Sequence, residues 1–279
     1  MKRAFTRRNP VFKSFSQLCA TTALCLAGTF GAVSGAAAKD VTDVLGRTVH
    51  VPDHVQRVVL GEGRLMSAFA LLDRDKPFAR IVGWQNDLRK LDPNTYNAYV
   101  AKFPEVKDIP LIGQASDQSV SAEQILTLKP DLAVFSISGH GPTEHSPVAD
   151  LLEKAGIAVL FVDFRINPVK GTETSLAALG QALGRETQAS EFLGFYQEHV
   201  KRITDRLGKL EDSKRPSVFL ELLAGVWATP GHTTGKSGLG ELIDMVGGRN
   251  IAAIVVPGAL GDVSVEYALK SDPDIYIVT

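Results

Sequence analysis

Apolar residues along this chain fall into two rhythms. Short continuous runs appear as RVVL at 57–60, RIVGW at 80–84, DLAVFSI at 131–137, IAVLFVDF at 157–164 and SVFLELLA at 217–224. Each has strand length and is apolar at successive positions, as expected of strands buried on both faces of a parallel sheet. Helical segments lie between them. RLMSAFALL follows the first run, SAEQILTLK carries Ser121 as N-cap and Pro130 as stop, and SPVADLLEKAG closes on Gly156. Near the start of this pattern, VTDVLGRTVHVP alternates around Leu45-Gly46 and predicts a hairpin.

Residues 172–215 contain no strand-like run. TETSLAALGQALG predicts one helix, and ETQASEFLGFYQEHVKRITDRLGKLED predicts a second, long one. Its apolar positions Phe192, Tyr196, Val200, Ile203, Leu207 and Leu210 recur at spacings of three and four. Strand–helix units therefore precede and follow a long helical segment. This predicts an α/β protein of two lobes, 39–171 and 216–279, joined through 172–215.

A repeat supports the same plan. VSAEQILTLKPDLAVFS at 120–136 returns, 143 residues later, as VSVEYALKSDPDIYIVT at 263–279. Both copies read as a Ser-capped helix, a Pro-Asp corner and an apolar strand.

The first residues are of another kind. MKRAFTRRNPVFK holds five basic residues and no acid, an apolar small-residue stretch follows, and Ala36-Ala37-Ala38 gives an A-x-A site. This predicts a signal peptide over 1–38, cleaved near Ala38, and export to the periplasm. Arg7-Arg8 begins a twin-arginine pattern whose spacing to Lys13 is one residue long, so the export route stays open. Both cysteines, Cys19 and Cys25, lie inside this segment, so the mature chain has no disulfide or cysteine metal site. Its removal leaves 25 basic residues against 31 acidic, which excludes the basic stripe of a nucleic-acid binder.

DVLGRTVHVPDHVQRVVL, the two Val-Ser-x-Glu helices before Pro-Asp, and GKSGLGELIDMVGGRNI together resemble periplasmic substrate-binding proteins of ferric-siderophore and vitamin B12 ABC importers. The resemblance runs from about Val41 onward. It implies two Rossmann-like α/β lobes bridged by one long α-helix, with ligand held between them and no catalysis. It also implies that Glu123 and Glu266, one per lobe, dock onto arginines of the membrane permease. The family continues beyond the second copy of the repeat, so the second lobe is expected to be incomplete, with a frayed edge.

Candidate ligand-binding residues follow strands, because parallel sheets bind ligands at strand carboxyl ends. They are Arg64, Trp84, Gln85, His140, Arg165, Trp227 and His232. Two tryptophans suit a large, partly apolar ligand and two arginines suit an anionic iron chelate. The expected function is a monomeric exported protein that carries an iron complex, foremost a ferric siderophore, to an ABC permease. No cofactor or metal of its own is expected. Haem, a corrinoid or a bare transition-metal ion are alternatives within the class. His140, Glu144 and His145 share a Gly/Pro loop, but their spacing is no defined metal motif and reads as solvated. An α/β enzyme is the alternative outside the class. PGHTTGKSG misses the phosphate-loop spacing by one residue, LGEGRL lacks a third glycine, and no G-x-S-x-G elbow is present.

Overall fold

Strands and helices alternate through most of the chain, as the apolar rhythm predicts. The computed structural model describes residue 1 and residues 38–138, 143–207, 210–225 and 230–279. Residues 2–37 of the expected signal peptide lie outside the described residues.

An antiparallel hairpin comes first, β1 (Ala38–Thr42) with β2 (Thr48–Pro52). Buried Asp43 holds its turn by accepting from Leu45 N and Arg47 N, at 3.0 and 3.1 Å. The first lobe follows: β3 (Val58–Leu60), α1 (Met66–Leu72), β4 (Ile81–Gln85), α2 (Asp87–Leu91), α3 (Pro93–Lys102), β5 (Leu111–Gly113), α4 (Ala122–Leu128), β6 (Leu132–Ser136), α5 (Pro147–Lys154) and β7 (Ala158–Val162). Its five strands run parallel in the order β5-β4-β3-β6-β7.

The strand pleat sorts the core into two layers. Leu60, Leu132, Val134, Leu160 and Val162 pack on the side of α1 and of Leu176 and Leu179. Val59, Ala133, Phe135, Val159 and Phe161 face Ile125 of α4 and Leu152 of α5. Every residue of β6 and β7 is buried. Burial on both faces explains why these strands read as continuous apolar runs rather than alternating ones.

Two helices then leave the sheet, α6 (Pro168–Leu183) and α7 (Glu186–Leu207). Gly184, at φ 63°, ends the first in a left-handed cap. The apolar stripe of α7 is half-buried rather than enclosed, and Ala189 is its one fully buried residue.

The second lobe holds β8 (Ser217–Glu221), β9 (His232–Thr234), α8 (Leu239–Met245), β10 (Arg249–Asn250), β11 (Leu260–Asp262), α9 (Val265–Lys270) and β12 (Ile275–Val278). This sheet departs from the all-parallel expectation. β10 and β12 run parallel to β8, but β9 is antiparallel to both β8 and β11. Its core is two small clusters, one around Phe219 and Ile251 and one around Val218, Leu220 and Ile243. The lobes meet where Gly238 N donates to Ile166 O at 2.7 Å and Glu241 accepts from Val169 N at 3.3 Å. Residues 38–279 make up one compact unit.

Candidate functional site

The sequence LGEGRL at the end of β3 builds the rim of a cavity. Gly61 N donates to Val134 O at 2.8 Å, extending the ladder to β6. A Cβ on Gly61 would stand 2.1 Å from the Phe135 ring, and one on Gly63 would stand 2.8 Å from Gln85 O. These glycines serve close backbone approach to β6 and β4, not merely a tight turn. The approach carries Glu62 inward until 1% of it is exposed.

Glu62 organises what surrounds it. Its Oε1 accepts from Ser138 Oγ at 2.6 Å. Its Oε2 lies 3.4 Å from Arg64 Nη2 and 3.6 Å from Arg165 Nη1. A second buried carboxylate, Asp87, accepts from Gly63 N at 2.5 Å and from Arg64 Nε at 3.0 Å. Two buried carboxylates thus face two guanidinium groups, and unpaired charge at this depth would be far costlier. Burial is the main cause that lowers the pKa of Arg165, with the neighbouring Arg64 charge next. Among the described residues the Arg165 guanidinium has its ion pair with Glu62 and no hydrogen bond, so its N–H fork remains available.

Asp163 sets the loop that carries Arg165. Buried at the end of β7, it accepts from Arg165 N at 2.9 Å, Ile166 N at 2.7 Å and Asn167 N at 2.9 Å. Ser175 of α6 clamps the same residue, accepting from Asp163 N at 2.7 Å and donating to Asp163 O at 3.0 Å. Arg165 is therefore on a stiff turn rather than a mobile one.

Below this charged rim is a cavity of about 250 Å³. Leu65, Ala68 and Leu71 form one wall, and Phe164, Leu176 and Phe192 form the other. Phe192 stacks on Tyr196 at 6.1 Å, so the aromatic surface continues along α7. The arrangement sets hydrogen-bond donors beside apolar surface. Among the described residues no three His, Cys, Asp or Glu side chains converge as a metal site.

A periplasmic binding protein family matches residues 87–279, more than half of the chain. The chain belongs to that family. Such proteins bind solutes and are not enzymes. The chain is 25% identical to the molybdate-binding protein MolA of Haemophilus influenzae over 266 residues, covering 88% of this chain and 70% of that one. It is 28% identical to the high-affinity heme uptake system protein IsdE of Staphylococcus aureus over 219 residues, covering 78% and 66%. Among solved structures, the TroA-like periplasmic binding protein FepB of Veillonella parvula superposes with a TM-score of 0.73 at 25% identity, covering 86% and 69%. The chain thus spans about two thirds of the length of these binding proteins.

Of the residues singled out from the sequence of this periplasmic binding protein, Arg64 and Arg165 share the cavity. Trp84 does not line it. Trp84 is a core residue, edge-on to Phe78 at 6.0 Å. Gln85 lies behind Gly63 and donates to Ser116 O at 2.9 Å, and with Trp84 it borders a separate cavity of about 60 Å³. His232 is on β9, 2.8 Å from Asp262 of β11, and does not line this cavity. His140 and Trp227 lie outside the described residues. Glu123 and Glu266 are exposed in the first turns of α4 and α9. The sequence reading missed Glu62 and Asp87. The signal was present, since an acid between two glycines after a buried strand has room to turn inward.

Proposed function

We propose that this protein captures an organic iron chelate, foremost a ferric siderophore, and delivers it to the permease of an ABC importer. The observation that carries the reading is the convergence of Arg64 and Arg165 over an apolar cavity at the carboxyl ends of β3 and β7. A chelate presents oxygen acceptors to the arginines and organic surface to the cavity. Heme, the cargo named in the IsdE relative, would make the same two demands. Residues 39–171 and 216–279 act as the two lobes and 172–215 as the bridge between them, with the cavity itself lined from the first lobe and the bridge. The mature protein begins near Lys39, works as a periplasmic monomer, and meets the permease through Glu123 and Glu266. A second reading, a compact oxyanion, is favoured by the similarity to the molybdate-binding protein over 88% of the chain.

Native mass spectrometry of protein purified from the periplasm, with metal analysis of the same sample, separates these readings. An iron-bearing organic adduct is expected, lost in the Arg64→Ala/Arg165→Ala double variant. A molybdate or other oxyanion adduct would select the second reading, and N-terminal sequencing that still showed Met1 would overturn export with cleavage.

A further inference from the structure

Arg64 and Arg165 account for polar contacts to a ligand and leave the apolar lining of the cavity unused. The cavity is a half-open cleft of about 250 Å³ lined mainly by Leu65, Leu71, Leu176 and Phe192, with the hydroxyls of Ser67, Ser136 and Thr172 also on its surface. An apolar cavity of about 150 Å³ holds benzene, so this one has room for an arm of roughly six to nine carbon atoms. We infer that the cavity takes an apolar arm, alkyl or aryl, of the carried ligand, whose head bears at most one negative charge and sits on Arg165. This rests on the solute-binding reading and narrows its substrate to amphipathic molecules.

The limit on charge comes from the partners already present. Arg64 is engaged by Asp87 and Glu62, and Arg165 by Glu62 at 3.6 Å. Two positive groups face two negative ones, so a multiply charged ion would enter with no net countercharge. A planar, singly charged or neutral oxygen head can still bind the N–H fork of Arg165. The arm then replaces water along Leu71, Leu176 and Phe192, which gives affinity that grows with apolar length.

Straight-chain monocarboxylates from acetate to decanoate, titrated calorimetrically into the ligand-stripped full chain, test this, with molybdate as the compact dianion. Affinity should rise about fourfold for each methylene buried, roughly a hundredfold or more from butyrate to octanoate, and level off once the cavity is full. Molybdate should bind no better than acetate. Arg165→Gln should weaken every chain length by the same factor and leave the slope unchanged. Ala68→Leu, which narrows the cavity, should shift the plateau to shorter chains, and Phe192→Ala should shift it to longer ones. Either shift suffices if the other variant does not fold. A flat series, or a plateau unmoved by a folded variant, overturns the inference. A flat series beside an iron chelate found in the periplasmic sample leaves the carrier reading standing. A rising series with no chelate and no uptake phenotype does the reverse.

Discussion

In the first sheet, β6 lies between β3 and β7 and all five of its residues are buried. The equivalent strand of the second sheet, β12, pairs with β8 among the described residues, and all four of its residues are exposed. The two strands nonetheless arise from one repeated unit. Ser121 and Ser264 cap α4 and α9 by accepting from Gln124 N and Tyr267 N, at 3.2 and 3.1 Å. Lys129 and Asp272, 143 residues apart, take the left-handed conformation at φ 46° and 40°. Asp131 accepts from Gln56 N and Arg57 N ahead of β3, and Asp274 accepts from Ser217 N and Ser217 Oγ at the start of β8. Cap and corner are local, the staple reaches back 57 to 75 positions, and all three recur intact. What differs, among the described residues, is burial: β6 is enclosed and β12 is exposed.

The largest expected difference lies in the strands themselves. Phe161→Ala removes a fully buried ring from the first sheet and should cost about 3–5 kcal/mol. Ile277→Ala starts from a side chain already 37% exposed and should cost less than about 1 kcal/mol. Denaturant unfolding of both variants measures the pair. Equal losses would break the comparison and mean that β12 is covered in the working protein. Tyr276 has contacts of its own, packing on Phe219 at 5.2 Å and donating its hydroxyl to Glu221. Burial, first, and that carboxylate push its phenol up to about 12.

The staples come next. Asp131→Asn weakens two charge-assisted backbone contacts and should cost about 1.5–3 kcal/mol. Asp274→Asn should cost less, because its strand has less to hold in place, and its effect should depend on pH. Hydrogen bonds from Ser217, the side chain first, hold the Asp274 carboxyl below its ordinary 3.8. A group depressed in the folded state contributes stability that is fully present above its unfolded pKa. The contribution fades as pH falls through the folded value, so wild type and Asp274→Asn should differ at neutral pH and converge in acid. A gap that widens below pH 3.8 would contradict the assignment.

The smallest effect on stability belongs to the two exposed glutamates. Glu266 is paired with Lys270 at 2.7 Å on the surface of α9, and such pairs contribute about 0.3–0.5 kcal/mol. Glu123→Ala and Glu266→Ala should leave stability and ligand affinity within error, while uptake by a reconstituted transporter falls. Full uptake in the double variant would remove the docking role.

Legibility followed the range of the interactions. The caps at Ser121 and Ser264, the stop at Pro130 and the strands β6 and β7 are set by neighbours a few residues away, so pattern alone found them. The antiparallel β9 and the short strands β10 and β11 carry too few residues for a period to register. Trp84 was readable as either core or ligand contact, and Phe78 decided its environment. Glu62 and Asp87 were hidden for a different reason. Their partners Ser138 and Gly63 lie 76 and 24 positions away, and only the approach of β6 and β4 makes an acid there a buried group.

The matched charges around Arg64 and Arg165 bear on timing. Two guanidinium groups set against two buried carboxylates cancel one another, so these four groups add little to the attraction of a distant ligand. Encounter is left to diffusion and shape, and discrimination passes to the escape step. A carrier of this kind samples many molecules at similar rates and keeps those that leave slowly. Residence time on the protein, rather than attraction toward it, then sets which cargo lasts long enough to be handed on.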